Sequence, residues 1–309
     1  MPLDPQIRLV LDNLPDNLFD VHTTTPQELR KLYAEQTTIP IFPKEPVARV
    51  EERSIPGPAG EISVRIYAPE RSAERPPLVF FHGGGWVIGN LDTHDGKVRK
   101  LANATERSVV SVDYRLAPEA PFPAAAEDCF AALRWVDGNR GIVGAGVGAP
   151  AVAGDSAGGN LAAAVSLMAR DRGGPALGFQ LLIYPIVDCD FDRPSYTENA
   201  DGYMLTRDVM MWFWDQYVPD AAGRSDPYVN VLASEDLSGL PPTHVITAEY
   251  DPLRDEGEAY AARLEAAGVP VTHTRYDGMI HGFLSFADFV DKAKQALAEA
   301  AEKLTGQSH

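Results

Sequence analysis

The stretch AGDSAGGN, Ala153 to Asn160, surrounds a single hydroxyl with residues that carry almost no side chain. Ser156 is the centre of Gly154-Asp155-Ser156-Ala157-Gly158, a G-x-S-x-G spacing. The spacing suits a serine on a strand-to-helix turn so sharp that side chains two positions away would collide with the neighbouring strand. Small residues at 157 to 159 let the following helix start close beneath, with its N-terminal N–H groups aimed at developing negative charge. A second stretch, His82-Gly83-Gly84-Gly85-Trp86, follows the apolar run Leu78 to Phe81. Three consecutive glycines leave backbone N–H groups uncovered, which is what stabilising an oxyanion requires. A phosphate-cradling loop is the competing reading. No Lys-Ser/Thr follows, however, and the G-x-G-x-x-G spacing is missing. Together the two stretches point to acyl transfer through a serine nucleophile.

Such a serine needs a base, and the base needs an acid to orient it. There are seven histidines. His22 lies in the N-terminal segment and His309 at the C-terminus. His244 and His273 fall within strand-like runs, where a hydrogen-bonded structural role is expected. His82 anchors the glycine loop, and His94 lines a pocket or is solvated. His281, in GMIHGF, follows the last strand-like run, and an open parallel sheet delivers site residues to the carboxyl ends of its strands. His281 is therefore read as the base. For the acid, Thr243 to Ala248 runs into Glu249-Tyr250-Asp251-Pro252-Leu253-Arg254-Asp255-Glu256. Asp255 and Glu256 read as the acidic first turn of a helix. Asp251, held extended by Pro252, is the favoured acid, Asp255 the second candidate and Glu249 a third. Asp188-Cys189-Asp190-Phe191-Asp192 opens like a calcium loop. Arg193 stands where such a loop needs glycine and Asn199 where it needs glutamate, so no metal is expected.

These residues have to be positioned by a sheet. Glu61 to Ala68 alternates with period two, and Pro56-Gly57 before it predicts an antiparallel hairpin with Val47 to Ile55. Leu78 to Phe81, Val109 to Asp113, Ala149 to Ala153, Phe179 to Tyr184 and Thr243 to Ala248 are short apolar strands. Val271 to Tyr276 is a more polar edge strand. Helical stretches between them, including Gly159 to Arg170, Asp255 to Ala267 and Phe289 to Leu304, predict an eight-stranded, mostly parallel α/β sheet covered on both faces. Two segments break the alternation. Residues 1–45 read as two amphipathic helices, around Gln6 to Leu14 and from Pro26 to Glu35 with Thr25 as N-cap. Residues 186–224 form a long insertion with the aromatic cluster MMWFWDQY, read both as helix core and as a lid.

The bulk numbers agree with a soluble globular protein. The chain has 309 residues, 45% hydrophobic and 23% charged, enough for a large core. Its net charge of -17 repels phosphates and anionic lipid, against nucleic-acid and peripheral-membrane roles. Two cysteines, Cys129 and Cys189, make neither a disulfide scaffold nor a zinc framework. The N-terminal residues have no basic start and no continuous apolar run, so a cytoplasmic location is expected.

HGGGWVIGNLDTHD (His82 to Asp95), DYRLAPEAPFPAA (Asp113 to Ala125), GDSAGGNLA (Gly154 to Ala162), DPLRDE (Asp251 to Glu256) and HGF (His281 to Phe283) together resemble the hormone-sensitive-lipase family of α/β-hydrolases, particularly its bacterial esterases. The resemblance implies a triad of Ser156, Asp251 and His281. It also implies an oxyanion hole from the N–H groups of Gly83, Gly84 and Ala157, and a cap from the N-terminal helices plus the insertion. Members are carboxylesterases on short to medium acyl esters, without cofactor or metal, and often homodimers. Trp86, Asp155, Trp212 and Trp214 are expected to bound the substrate pocket, the tryptophans narrowing it toward short chains. Two rivals remain: a deacetylase or aminopeptidase on the same scaffold, and a small-molecule receptor that keeps the fold without catalysis.

Overall fold

The computed structural model describes residues 2–15, 19–38 and 42–306. Residues 16–18 and 39–41 of the expected cap segment, and His309, lie outside the described residues. Eight strands form one sheet: β1 (Arg49–Gly57), β2 (Gly60–Ala68), β3 (Leu78–Phe81), β4 (Val109–Asp113), β5 (Ala151–Asp155), β6 (Phe179–Ile183), β7 (Thr243–Tyr250) and β8 (Val271–Ile280). Their order across the sheet is β1-β2-β4-β3-β5-β6-β7-β8. The predicted hairpin is present, β1 and β2 being antiparallel. β2 also runs antiparallel to β4, and every other neighbouring pair is parallel.

The helices are α1 (Pro5–Leu11), α2 (Pro26–Thr37), α3 (Asp95–Thr105), α4 (Ala124–Gly138), α5 (Arg140–Val143), α6 (Ala157–Asp171), α7 (Pro194–Glu198), α8 (Arg207–Tyr217), α9 (Arg254–Ala266) and α10 (Asp291–Thr305). α1, α3 and α10 bury their apolar residues against one face of the sheet. α4, α6 and α9 do so against the other, and the buried apolar residues of α2 and α8 join that second cluster. Strands β3, β5 and β6 are buried at every position, as the continuous apolar runs require of a sheet covered on both sides. Thr25 caps α2 as expected, its hydroxyl accepting from Glu28 N–H while Glu28 reaches back. Among the described residues no helix is long and apolar enough to cross a membrane.

Two boundaries matter for the site. β5 runs on to Asp155, so the chain turns immediately at Ser156 and α6 begins at Ala157. β8 continues four residues past its expected end at Tyr276, beyond an irregularity in its pairing with β7, and stops at Ile280, next to His281. Because β3 and β5 are parallel neighbours with Phe81 opposite Gly154, the HGGG loop and the serine turn emerge side by side at one edge.

Candidate active site

Ser156 has φ 57° and ψ −121°, a conformation that costs a non-glycine residue about 1–3 kcal/mol. Local packing enforces it. A Cβ on Gly158 would lie 2.0 Å from the Phe81 carbonyl oxygen, and one on Gly154 would lie 2.1 Å from the Gly158 carbonyl oxygen. The turn is tied down by Ser156 N–H donating to Ile183 O at 2.9 Å, and by Asn160 N–H donating to Ser156 O at 3.1 Å.

Three side chains converge from the ends of three strands. The Ser156 hydroxyl meets His281 Nε2 at 3.0 Å, and His281 Nδ1–H meets Asp251 Oδ2 at 2.7 Å. The other Asp251 oxygen accepts from Leu253 N–H at 2.9 Å. All three residues are buried, and the Tyr184 ring packs edge-on against the imidazole at 4.8 Å. The alternative acids are occupied elsewhere. Asp255 accepts from Ser195 N–H at 2.8 Å and pairs with Arg254, and Glu249 accepts from Gly278 N–H at 2.7 Å. His244 and His273 are hydrogen-bonded to Thr272 and Thr247. The arrangement can pass a proton from a hydroxyl to an imidazole whose tautomer a buried carboxylate holds.

The chain is similar over most of its length to known proteins. The family model for the α/β-hydrolase fold matches residues 78–285. Carboxylesterase NlhH of Mycobacterium tuberculosis is 43% identical over 315 residues, covering 99% of this chain and 97% of the relative. The chain belongs to the hormone-sensitive-lipase family of α/β-hydrolases. An arylacetamide deacetylase of Bos taurus is 34% identical over 291 residues, covering 73% of each. Among solved structures, a hyperthermophilic esterase from the archaeon Pyrobaculum calidifontis superimposes with a TM-score of 0.94 at 42% identity, over 100% of this chain and 99% of that one.

Within this α/β-hydrolase the glycine loop after β3 departs from one expectation. Gly83 N–H points inward, donating to His94 Nε2 and Asp155 Oδ1, each at 3.2 Å, so it is committed to the scaffold. Among the described residues no hydrogen bond engages Gly84 or Gly85 N–H. Ala157, as the first residue of α6, has no acceptor within its helix. The free donors are therefore one residue further along the loop than expected. His82 holds the loop's base. Its ring stacks on Tyr114 at 4.3 Å, and Tyr114 O–H donates to His82 O at 2.7 Å. Burial drives His82 down to about 3, so the ring is neutral.

A cavity of about 760 Å³ opens onto Ser156 and His281, within the roughly 300–1,000 Å³ range of small-molecule sites. Phe19, Tyr33, Ile88, Met210 and Phe213 line it, but none of the expected tryptophans does. Trp86 is 0% exposed, stacked on Tyr217 at 4.3 Å and edge-on to Trp214 at 5.2 Å, both also buried. Trp212 turns its ring to Phe213 from the half-buried side of α8. On α8, Met210 and Phe213 line the cavity while Trp214 and Tyr217 pack into the core. All four share one apolar face at i, i+3, i+4 and i+7, so helical spacing alone does not tell them apart. Asp155 borders the cavity, but both its oxygens are engaged by protein: Oδ1 accepts from Gly83 N–H, and Lys97 Nζ lies 2.6 Å from Oδ2. It is not free to bind a substrate. Lys97 itself carried no sequence signal.

Proposed function

We propose that this chain hydrolyses carboxylic esters of short to medium acyl chains, with Ser156 as nucleophile, His281 as base and then acid, and Asp251 as the carboxylate that orients it. The contact that carries the reading is Ser156 Oγ to His281 Nε2 at 3.0 Å, backed by the 2.7 Å bond from His281 to Asp251. His281 takes the hydroxyl proton as Ser156 attacks the ester carbon. The N–H groups of Gly84, Gly85 and Ala157 receive the oxyanion, each donor worth on the order of 3 kcal/mol of barrier. The imidazolium then protonates the departing alcohol, and water attacks the acyl-enzyme by the same route. The cap in this reading consists of α1, α2 and the 186–224 segment, and α1, α2 and α8 all supply cavity wall. The apolar lining supports acyl groups of modest length, and the named activities of the relatives support ester hydrolysis.

Stoichiometric labelling of Ser156 by an organophosphonate, abolished in His281→Ala, separates an enzyme from a receptor. Ser156→Ala should eliminate turnover of p-nitrophenyl acetate, and Asp251→Asn should lower kcat about 10⁴-fold through the wrong imidazole tautomer. Near-full activity in Asp251→Asn would refute the assignment of the acid. The relative named as an arylacetamide deacetylase favours amide cleavage as a second reading. Rates on matched ester and amide substrates decide between them.

A further inference from the structure

Beneath the oxyanion loop lies a buried ion pair that the reaction as described does not use. Lys97, in the first turn of α3, has a side chain only 8% exposed, with Nζ 2.6 Å from Asp155 Oδ2. Asp155, the residue before the nucleophile, uses its other oxygen to accept the Gly83 N–H. One carboxylate thus joins three elements: the strand that ends at Ser156, the loop after β3, and α3. His94 does not supply the compensating charge. Its Nδ1–H donates to Thr93 Oγ1 at 2.9 Å and its Nε2 accepts from Gly83 N–H, which is the hydrogen-bonding pattern of a neutral ring. Burial, first of all, also lowers its proton affinity. The other titratable side chains facing Asp155 are His82, Tyr33, Tyr114 and Tyr184, all neutral. Burial alone would raise the Asp155 carboxyl, but the Lys97 ammonium beside it holds it well below the usual range.

We propose that Lys97 is a positioning residue of the oxyanion loop, acting through Asp155. The carboxylate fixes the direction of the Gly83 N–H and therefore the tilt of the next two peptides, whose N–H groups are the free donors. The ammonium cancels a negative charge that would otherwise lie under a developing oxyanion. Without it the carboxylate is buried and unpaired, and it must either repel that oxyanion or take up a proton. This inference rests on the proposed ester hydrolysis and adds to it a group that acts through Asp155.

The test compares Lys97→Met, Lys97→Arg and the double variant Lys97→Met/Asp155→Asn on p-nitrophenyl acetate across pH. Outright loss of an oxyanion donor costs roughly 10²–10³-fold, so the misaligned loop of Lys97→Met should lose roughly 10- to 100-fold in kcat with KM changed less than about threefold. Its kcat–pH profile should gain an ionisation, that of the stranded carboxyl, which the double variant lacks. The double variant should also be more active than Lys97→Met, because its introduced carboxamide keeps an acceptor for Gly83 N–H without the charge. Lys97→Arg should stay within about fivefold of wild type. Lys97→Gln replaces the methionine variant should the latter fail to fold, with the same expectations. Wild-type kcat and an unaltered pH profile in Lys97→Met overturn the proposal. So does an equal loss in the single and double variants with no added ionisation, which would make the pair merely structural. If wild-type protein neither hydrolyses esters nor takes up the phosphonate, the underlying reading fails and this inference falls with it.

Discussion

Replacing Gly158 with alanine drives a methyl group into backbone. The new Cβ would lie 2.0 Å from the Phe81 carbonyl oxygen, 2.6 Å from its carbon and 2.7 Å from His82 O. Ordinary contacts of a Cβ begin near 3.4 Å, so the serine turn and the end of β3 must part by about 1.4 Å. No flexible side chain can absorb that movement, and β3 is clamped between β4 and β5. The separation falls between Ser156 and the loop that carries Gly84 and Gly85. A misplacement of about 1 Å at a reacting centre costs about 10²-fold, so kcat/KM should drop at least that far. Overpacking costs about 1–3 kcal/mol, which for a large domain lowers Tm by only a few degrees per kcal/mol. The assay is p-nitrophenyl acetate hydrolysis, with active sites titrated by phosphonate, alongside thermal unfolding. A folded Gly158→Ala protein with kcat/KM within about threefold of wild type would refute the idea that this contact keeps nucleophile and oxyanion donors in register.

Phe213→Ala removes a ring packed directly over the glycine loop after β3, where a Cβ on Gly85 would meet Phe213 Cγ at 2.2 Å. The acyl-length optimum should move to longer chains across p-nitrophenyl esters from acetate to octanoate, and an unchanged profile would return the specificity role to other residues. Arg30→Ala should raise KM more than it lowers kcat, because Arg30 fastens α2 to Val87 O and Ala117 O, each at 2.7 Å. Equal KM values for variant and wild type would show that α2 needs no such clamp. Glu256→Gln tests a pH effect. Burial, with Asp188 nearby, pushes the Glu256 carboxyl well above its ordinary 4.5, although Val187 N–H donates to it at 2.8 Å. The folded state therefore keeps a proton that the unfolded chain releases. That contribution is complete below about 4.5 and is lost as pH rises toward the folded value, at up to about 1.4 kcal/mol per pH unit. Glutamine has no proton to lose, so the Tm of the variant minus that of wild type should grow from pH 5 to pH 8, and a flat difference would mean that Glu256 ionises normally.

Local chemistry was enough to read the sheet and the residues that meet at its edge. Apolar runs of four to six residues between helical stretches can be satisfied only by strands covered on both faces, and a serine between glycines two positions away has few conformations open to it. Ser156, His281 and Asp251 were nameable from sequence because each stands immediately beyond a strand, where the fold must deliver it. Three-dimensional packing decided the rest. Period-two alternation predicts the β1–β2 hairpin, but nothing local places β4 between β2 and β3. Consecutive glycines say that N–H groups are bare without saying which way each points. The Gly83 N–H turned inward because Asp155 and His94, 72 and 11 residues away, offered acceptors there. The phase of α8, set by the core it packs against, chose Phe213 over the tryptophans as cavity wall. Lys97 and Glu256 read as ordinary charged residues on helices, and only long-range burial gave one a buried partner and raised the proton affinity of the other.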